Sequence, residues 1–399
     1  MNLGHSLRNE VARDTVGPSS NSLDTADDRS QPFLRHREKV TSEETTPSTK
    51  IPYLDGLRGY SILTVVVLHC TLSIHVPRWL IPAKLMFGNG QLGVNIFFAI
   101  SGFLITTLLV REREQTGTIS LRGFYERRIA RIFPAAYAYI AAIAVLAFIA
   151  IVQLRTGAFL AASLFGWNYA GLLGLTAGST DAQVLNHFWS LSLEEQFYLF
   201  WPSCLLLFGL RGSKIIALIV IAALPIVRLA SYALFPESRP QLTEMFHTGV
   251  DQIFWGALAA LAYAEGAHLK WTRHRWFGWL LLGYAVVTVF VVAGAAEEFH
   301  GIARFIAPTV YSSFASLLLL WLLSGRTGMI RTILEWKPLR WIGLLSYSLY
   351  VWQQIFLAPQ SPLLTPFPIN VGCALLAAIL SYYLVEAPLR RRIRDYFKQ

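Results

Sequence analysis

The sequence predicts an all-α fold, a polytopic bundle of about ten transmembrane helices with both termini cytoplasmic. Three observations predict it. Of 399 residues, 54% are hydrophobic and only 15% charged, and the mean hydropathy is +0.46; soluble domains carry about 25% charged residues. Runs of roughly 20 apolar residues recur closely after residue 50, each long enough to cross a bilayer. Basic residues gather in every second connection between these runs, which is a topology signal.

Taken in order, residues 1–50 are rich in Ser, Thr, Asp, Glu and Arg. They hold too little apolar surface to fold and read as a disordered tail, whose Arg35, Arg37 and Lys39 suit a cytoplasmic membrane surface. A membrane domain follows over 51–392, with a short cytoplasmic tail at 393–399. Its spans are expected at 57–76, 91–110, 133–153, 189–210, 213–234, 247–265, 276–295, 304–324, 341–358 and 367–387. Pro134 suits the opening turn of the third. The Gly-rich apolar stretch Ala158–Ala177 is short and reads as a re-entrant or interfacial segment, with an eleventh span as the alternative.

Loop charge decides between the two. The connection 111–132 carries six arginines, among them Arg127, Arg128 and Arg131. Arg211 and Lys214, then Lys270, Arg273 and Arg275, then Arg326, Arg331, Lys337 and Arg340 mark the next even connections, and Arg390, Arg391, Arg392, Arg394 and Lys398 mark the tail. The odd connections 77–90, 154–188, 235–246, 296–303 and 359–366 are poor in Lys and Arg. Ten spans put every basic loop on one side; an eleventh would break the alternation.

Other classes lose ground. The net charge of +10 follows this alternation rather than a groove-tracking patch, which argues against nucleic acid. Cys70, Cys204 and Cys373 lie in apolar runs without zinc-type spacing, and no disulfide framework is visible. No cleavable signal peptide is expected, and no phosphate loop, dinucleotide fingerprint, serine-hydrolase elbow or metal-ligand cluster occurs.

Chemistry-bearing residues stand out against the apolar background. Tyr53–His69 opens the first span yet carries Asp55, Arg58 and His69. Arg58 and His69 are eleven residues apart, which puts them on one helical face about 16 Å apart along the axis. That arrangement is expensive unless the face lines a protein interior or wet cavity. Topology puts Arg58 near the cytoplasmic mouth and His69 near mid-membrane, where an imidazole can take a proton or hold an acyl group. Asp55 suits a helix cap. In Phe124–Pro134, Arg127, Arg128 and Arg131 cluster at helical spacing, either as a topology signal or as a site for phosphates. In His187–Pro202, Glu194 and Glu195 enter an apolar run just after Trp189, and the outer half of the membrane is their expected depth. Ser101–Gly102 reads as a close-packing point. Asp251 is an intramembrane acid that suits pairing with Arg228.

Six stretches in this order, YLDGLRGYSILTVVVLH, GVNIFFAISGFLIT, FYERRIARIFPAAY, HFWSLSLEEQFYLFWP, LSYSLYVWQ and VEAPLRRR, resemble the acyltransferase-3 family of integral membrane acyltransferases and span residues 53–392. The resemblance implies a ten-helix enzyme moving acyl groups, usually acetyl, from cytosolic acyl-CoA to an extracytoplasmic acceptor, commonly a sugar or glycolipid hydroxyl. It implies a plasma membrane, the inner one in a bacterium, needs no metal, and leaves homo-oligomers open. The family's Arg-x10-His pattern falls on Arg58 and His69, its Arg-x-x-Arg on Arg128 and Arg131, and its glutamate on Glu194. Two positions depart from the pattern: Gln353 stands where the family often has His, and Asn95 where an acid is usual. No soluble esterase-like domain, such as some relatives carry, is expected after the last span.

On this reading acyl-CoA phosphates dock on Arg58, Arg127, Arg128 and Arg131. His69 serves as general base or transient acyl carrier, and Glu194 engages the acceptor from outside. Glu195, Trp189 and Asp251 complete the candidates for holding the acceptor. A transporter, or an inactive member acting as a scaffold, are the alternatives.

Overall fold

The structure, a computed structural model, describes residues 51–72, 89–298, 300–325, 328–358, 361, 363 and 365–396. The tail 1–50, most of the connection 77–90 and Lys398 lie outside the described residues. Among the described residues ten longer helices carry the fold: α1 (Pro52–Leu72), α2 (Gly90–Thr116), α3 (Leu121–Phe148), α4 (Phe188–Leu234), α5 (Asp251–Ala264), α6 (Arg275–Glu298), α7 (His300–Leu323), α8 (Lys337–Trp352), α9 (Ile369–Leu380) and α10 (Ala387–Tyr396). Among the described residues there is no strand.

Helix occupies each of the ten segments the sequence marks as apolar runs. Five helical stretches are long and apolar enough to cross a membrane among the described residues: Gly90–Thr116, Leu121–Phe148, Ala182–Leu234, Phe305–Leu323 and Ile369–Ile393. The third of these is two helices in series. Gly209 interrupts α4 with φ 63° and ψ −172°, a conformation glycine adopts without a Cβ penalty, and Arg113 closes the break by donating to the Leu205 carbonyl at 2.7 Å. The break falls at the end of the predicted run 189–210, ahead of the run 213–234. Ala158–Ala177 is divided among an 8-residue helix, Thr156–Ser163, a single 3₁₀ turn and hydrogen-bonded turns, none long enough to cross.

Local signals set the ends of α2 and α3. Asn89 caps α2 by accepting from the Leu92 amide at 3.0 Å, and Gly117 ends it in the left-handed region at φ 78°. Ser120 starts α3 by accepting from the Gly123 amide at 3.2 Å. Pro134 was expected in the opening turn of this span, but it lies inside α3. The capped segment before it is already helical, so the arginine cluster belongs to the same helix as the apolar run. Asp55 likewise sits inside the first turn of α1 rather than at its cap, 3.7 Å from Arg58.

Packing centres on α1 and α2. α1 lies against α2 and α8, and α2 also lies against α5 and α7. Glycines permit close crossings: a methyl at Gly343 of α8 would strike the Asp55 carbonyl of α1, and one at Gly102 of α2 would strike the Ile253 carbonyl of α5. In a membrane, where burial from water does not drive helix association, such contacts bring backbones together. Apolar side chains such as Phe148, Leu207 and Ile226 point outward, while Arg228 and Asp251 are fully buried. Lys214 joins Glu265 at 2.6 Å, and Arg331 lies over the Tyr53 ring. These contacts gather even-numbered connections at one end of the bundle, the basic end.

Candidate active site

Two cavities lie one above the other inside the bundle. The first, with about 760 Å³ of empty space, is lined by Arg58, Arg128, Arg131 and Glu194, together with Ser101, Ser190, Tyr198 and Tyr347. The second, about 450 Å³, is lined by His69, Gln91, Asn186, His187, Trp189 and Gln354. Val94 and Tyr350 border both and form the partition between them. Tyr350 is held there by a 2.5 Å hydrogen bond to Ser190 and donates to the His187 carbonyl at 3.3 Å.

Four helices, α1, α2, α4 and α8, contribute to both cavities; α3 contributes only to the first. On α1, helical spacing carries the shared face from Arg58 in the charged cavity to His69 in the uncharged one. On α4, Ser190, Glu194 and Tyr198 recur every four residues and face the charged cavity, while Trp189, nearer the start of the helix, faces the other. Adjacent Glu195 points about 100° away and lines neither cavity. Its Oε1 is buried and has no hydrogen-bond partner among the described residues.

The expected order along the route changes. His69 was placed near mid-membrane and Glu194 beyond it, on the acceptor side. In the structure Glu194 shares the charged cavity with the arginines. His69 lies farther from the basic end, level with the first turns of α2 and α4. The reason is electrostatic: one carboxylate among three guanidinium groups lowers the penalty of holding all of them out of water.

The arginines also divide. Arg128 enters the charged cavity with its guanidinium 5.8 Å from the Phe124 and Tyr198 ring centroids, a cation–π geometry. Arg131, one turn on, enters beside it. Arg127 shares their helix but not their direction; it is 56% exposed and pairs with Glu112 at 3.2 Å, outside the cavity. Asp251 lines neither cavity. It accepts from Arg228 at 2.5 Å and from Thr309 at 2.7 Å, so its charge is spent on a structural pair. Trp189 does line the uncharged cavity and packs edge-to-face on Phe98.

His69 Nδ1 lies 2.8 Å from Gln353 Oε1. Among the described residues its Nε2 has no hydrogen-bond partner. His187 was not singled out from sequence, although it opens the stretch that holds Glu194. It is 3% exposed and rests edge-on against Tyr139, Phe188 and Tyr350. A histidine at the entry of an apolar helix is the signal that could have found it. Tyr350 and Gln354 gave no signal, because their importance lies in which helices they meet. No group of three metal-binding side chains occurs among the described residues.

The model of the acyltransferase-3 family, an acyltransferase domain, matches residues 51–386. The chain is 27% identical over 386 residues to the peptidoglycan O-acetyltransferase OatA of Listeria monocytogenes, covering 87% of this chain and 57% of that one. It is 28% identical over 365 residues to the O-acetyltransferase OatA of Staphylococcus aureus, covering 86% and 57%. It is 26% identical over 371 residues to the putative peptidoglycan O-acetyltransferase YrhL of Bacillus subtilis, covering 85% and 55%. The chain thus spans a little over half the length of these curated relatives. No solved structure matches it.

Proposed function

The chain belongs to the acyltransferase-3 family, and on that premise we propose that it is a multi-pass O-acyltransferase of the plasma membrane, the inner membrane in a bacterium. The donor is acyl-CoA, the acyl group acetyl, and the acceptor a hydroxyl of an extracytoplasmic glycan or glycolipid. The OatA relatives, named for O-acetylation and in Listeria for peptidoglycan, support the last two choices. Ten spans and two cytoplasmic termini are part of the proposal, supported by the loop charges and by helix over each predicted run.

The observation that carries the reading is the pair of cavities meeting at Tyr350. The lower one has the chemistry of a phosphate site: Arg58, Arg128 and Arg131 offer forked guanidinium donors, and Glu194 orders them. The upper one has the chemistry of a sugar site, with amide and imidazole groups for hydroxyls and Trp189 for an apolar ring face. The donor thioester reaches the partition from below and the acceptor hydroxyl from above. His69 Nε2 takes the hydroxyl proton as the oxygen attacks the thioester carbonyl; the carbon–sulfur bond breaks and the proton returns to the departing thiolate.

The test is transfer of label from radiolabelled acetyl-CoA to peptidoglycan fragments by protein reconstituted in liposomes. Transfer that is lost in His69→Ala supports the reading. Absence of both transfer and acetyl-CoA hydrolysis by the intact protein refutes it. An acetyl group trapped on His69 would replace the general base with an acyl carrier.

A further inference from the structure

We propose that Gln353 is a positioning residue that fixes the tautomer of His69, holding the ring proton on Nδ1 and leaving Nε2 as the free, basic nitrogen. The proposal rests on the function given above for what His69 does, but the geometry behind it does not depend on that function.

A chain of hydrogen bonds sets the tautomer from its far end. The backbone carbonyl of Gln183 can only accept. Gln354 therefore presents its Nε2 to it, at 3.0 Å. This turns Gln354 Oε1 toward Gln353, where it too can only accept, and Gln353 Nε2 donates to it at 3.1 Å. Gln353 Oε1 is then the atom left to face His69 Nδ1, at 2.8 Å. An amide oxygen has no proton to give, so the proton in that bond is on Nδ1.

Amide orientations and histidine protons are set by their networks, and this network has a fixed end. Turning either amide over places two acceptors or two donors face to face. Gln353 is 0% exposed and Gln354 5%, so little water is on hand to repair such a mismatch. The backbone holds Gln353 as well: its amide donates to the Leu349 carbonyl, and its own carbonyl accepts from Leu357 at 2.9 Å. Gln183 lies in the 3₁₀ turn Ala182–Leu185, just ahead of His187 and Trp189. The chain of bonds therefore ties α1 and α8 to the segment that forms the upper wall of the uncharged cavity.

The consequence for the reaction is specific. A glutamine can orient the imidazole but cannot accept its proton. The proton that Nε2 takes from the acceptor hydroxyl has no onward path through Gln353 and goes back to the leaving sulfur. Gln353 thus replaces an ionisable partner by a directional one.

The experiment uses full-length protein in nanodiscs labelled with ¹⁵N-histidine, with His69 assigned by difference against His69→Gln. The wild-type His69 signal is expected to be that of the Nδ1–H tautomer. Gln353→Leu is expected to give mixed tautomers and to lower kcat at least ~10-fold with KM for acetyl-CoA within about twofold. Gln353→Glu, protonated on the oxygen that faces Gln354 Oε1, keeps both the donor to Gln354 and the acceptor at Nδ1, and is expected to restore the Nδ1–H signal and most of kcat. If Gln353→Leu does not fold, Gln354→Leu, which frees the Gln353 amide to turn, is expected to give the same mixture. An Nε2–H tautomer in the wild type, or an unchanged tautomer in both leucine variants, overturns the proposal. An Nδ1–H tautomer in a protein that transfers no acyl group leaves the positioning role standing and removes the proposed function.

Discussion

Replacing Arg131 by alanine is expected to weaken acyl-CoA binding by about 10- to 100-fold, while replacing Arg127 is expected to change it by less than about threefold. Both side chains belong to α3 and carry the same charge; they differ in where they point. Arg131 lines the cavity with Arg58, Arg128 and Glu194, so three guanidinium groups face one carboxylate and leave two positive charges in excess. A charge-assisted hydrogen bond from such a group to a phosphate contributes about 1.5–3 kcal/mol, and ~1.4 kcal/mol is a factor of ten in affinity. Arg127 is 56% exposed and already paired with Glu112, and exposed pairs contribute ~0–1 kcal/mol, screened further by salt. Isothermal titration of coenzyme A into detergent-purified variants reads the difference directly. Repeating it with the 3′-dephospho form shows whether the lost affinity belongs to a phosphate. Equal losses at Arg127 and Arg131 would mean that long-range charge, not the cavity, holds the donor. Unchanged affinity in Arg131→Ala would remove the phosphate site altogether.

Asp251→Ala is expected to destabilise the protein by about 3–5 kcal/mol, because it strands the fully buried Arg228 without its partner; the double variant with Arg228→Met should recover most of the loss in thermal unfolding, and failure to recover would point to a role beyond pairing. Gly102→Ala drives a methyl into backbone atoms of α5 and is expected to cost about 1–3 kcal/mol, visible as a lower melting temperature in detergent; an unchanged melting temperature would show that the two helices can part freely. Glu244, in the connection before α5, has its carboxyl pushed up to about 7 by burial, from 4.5. Its unfolded form ionises first, so stability should fall by about 3 kcal/mol as pH rises from below 4.5 to 7 and then level off. Glu244→Gln should flatten that decline, and a decline of the same size in the variant would exclude Glu244 as its source.

Local pattern carried the elements and failed at the contacts between them, for a physical reason. An apolar run reports that a segment is helical and embedded, because the bilayer imposes that demand on each segment separately. Spacing on one helix is equally local, which is why Arg58 and His69 could be placed on one face before any neighbour was known. The Arg127–Arg128–Arg131 cluster shows where locality ends. Spacings of three and four say that side chains are neighbours, not which of them turns toward another helix. Glu194 was assigned by depth to the acceptor side, yet its depth alone says nothing about the arginines on α1 and α3 that it meets. His69 and Gln353 are separated by 284 residues and Ser190 and Tyr350 by 160, and no periodicity links such pairs. Asp251 and Arg228 could be paired from sequence because two opposite charges buried in neighbouring runs have few other partners.

On the proposed function, the arrangement of α1 bears on how transfer is kept in register. Arg58 and His69 project from one helix, so the distance between the donor's anchor and the reacting nitrogen is set by helical rise, about 16 Å for eleven residues, rather than by the relative motion of two elements. Sliding or turning of α1 leaves that distance unchanged but moves both groups relative to the two cavities. Its contacts oppose both motions: the Gly343 crossing locks its start against α8, and the Gln353–His69 bond locks its other end to the same helix. α8 also supplies Tyr350, which stands between the two cavities. One pair of helices therefore holds the phosphate anchor, the base, the base's orienting partner and the partition. On that proposal a donor entering from the basic end meets the arginines first, then the partition of Val94 and Tyr350, then His69, and the partition has to yield for its thioester to reach Nε2. The hydroxyl of Tyr350 is bonded to Ser190 of α4, four residues before Glu194, so the helix that orders the donor's arginines also restrains the partition above them.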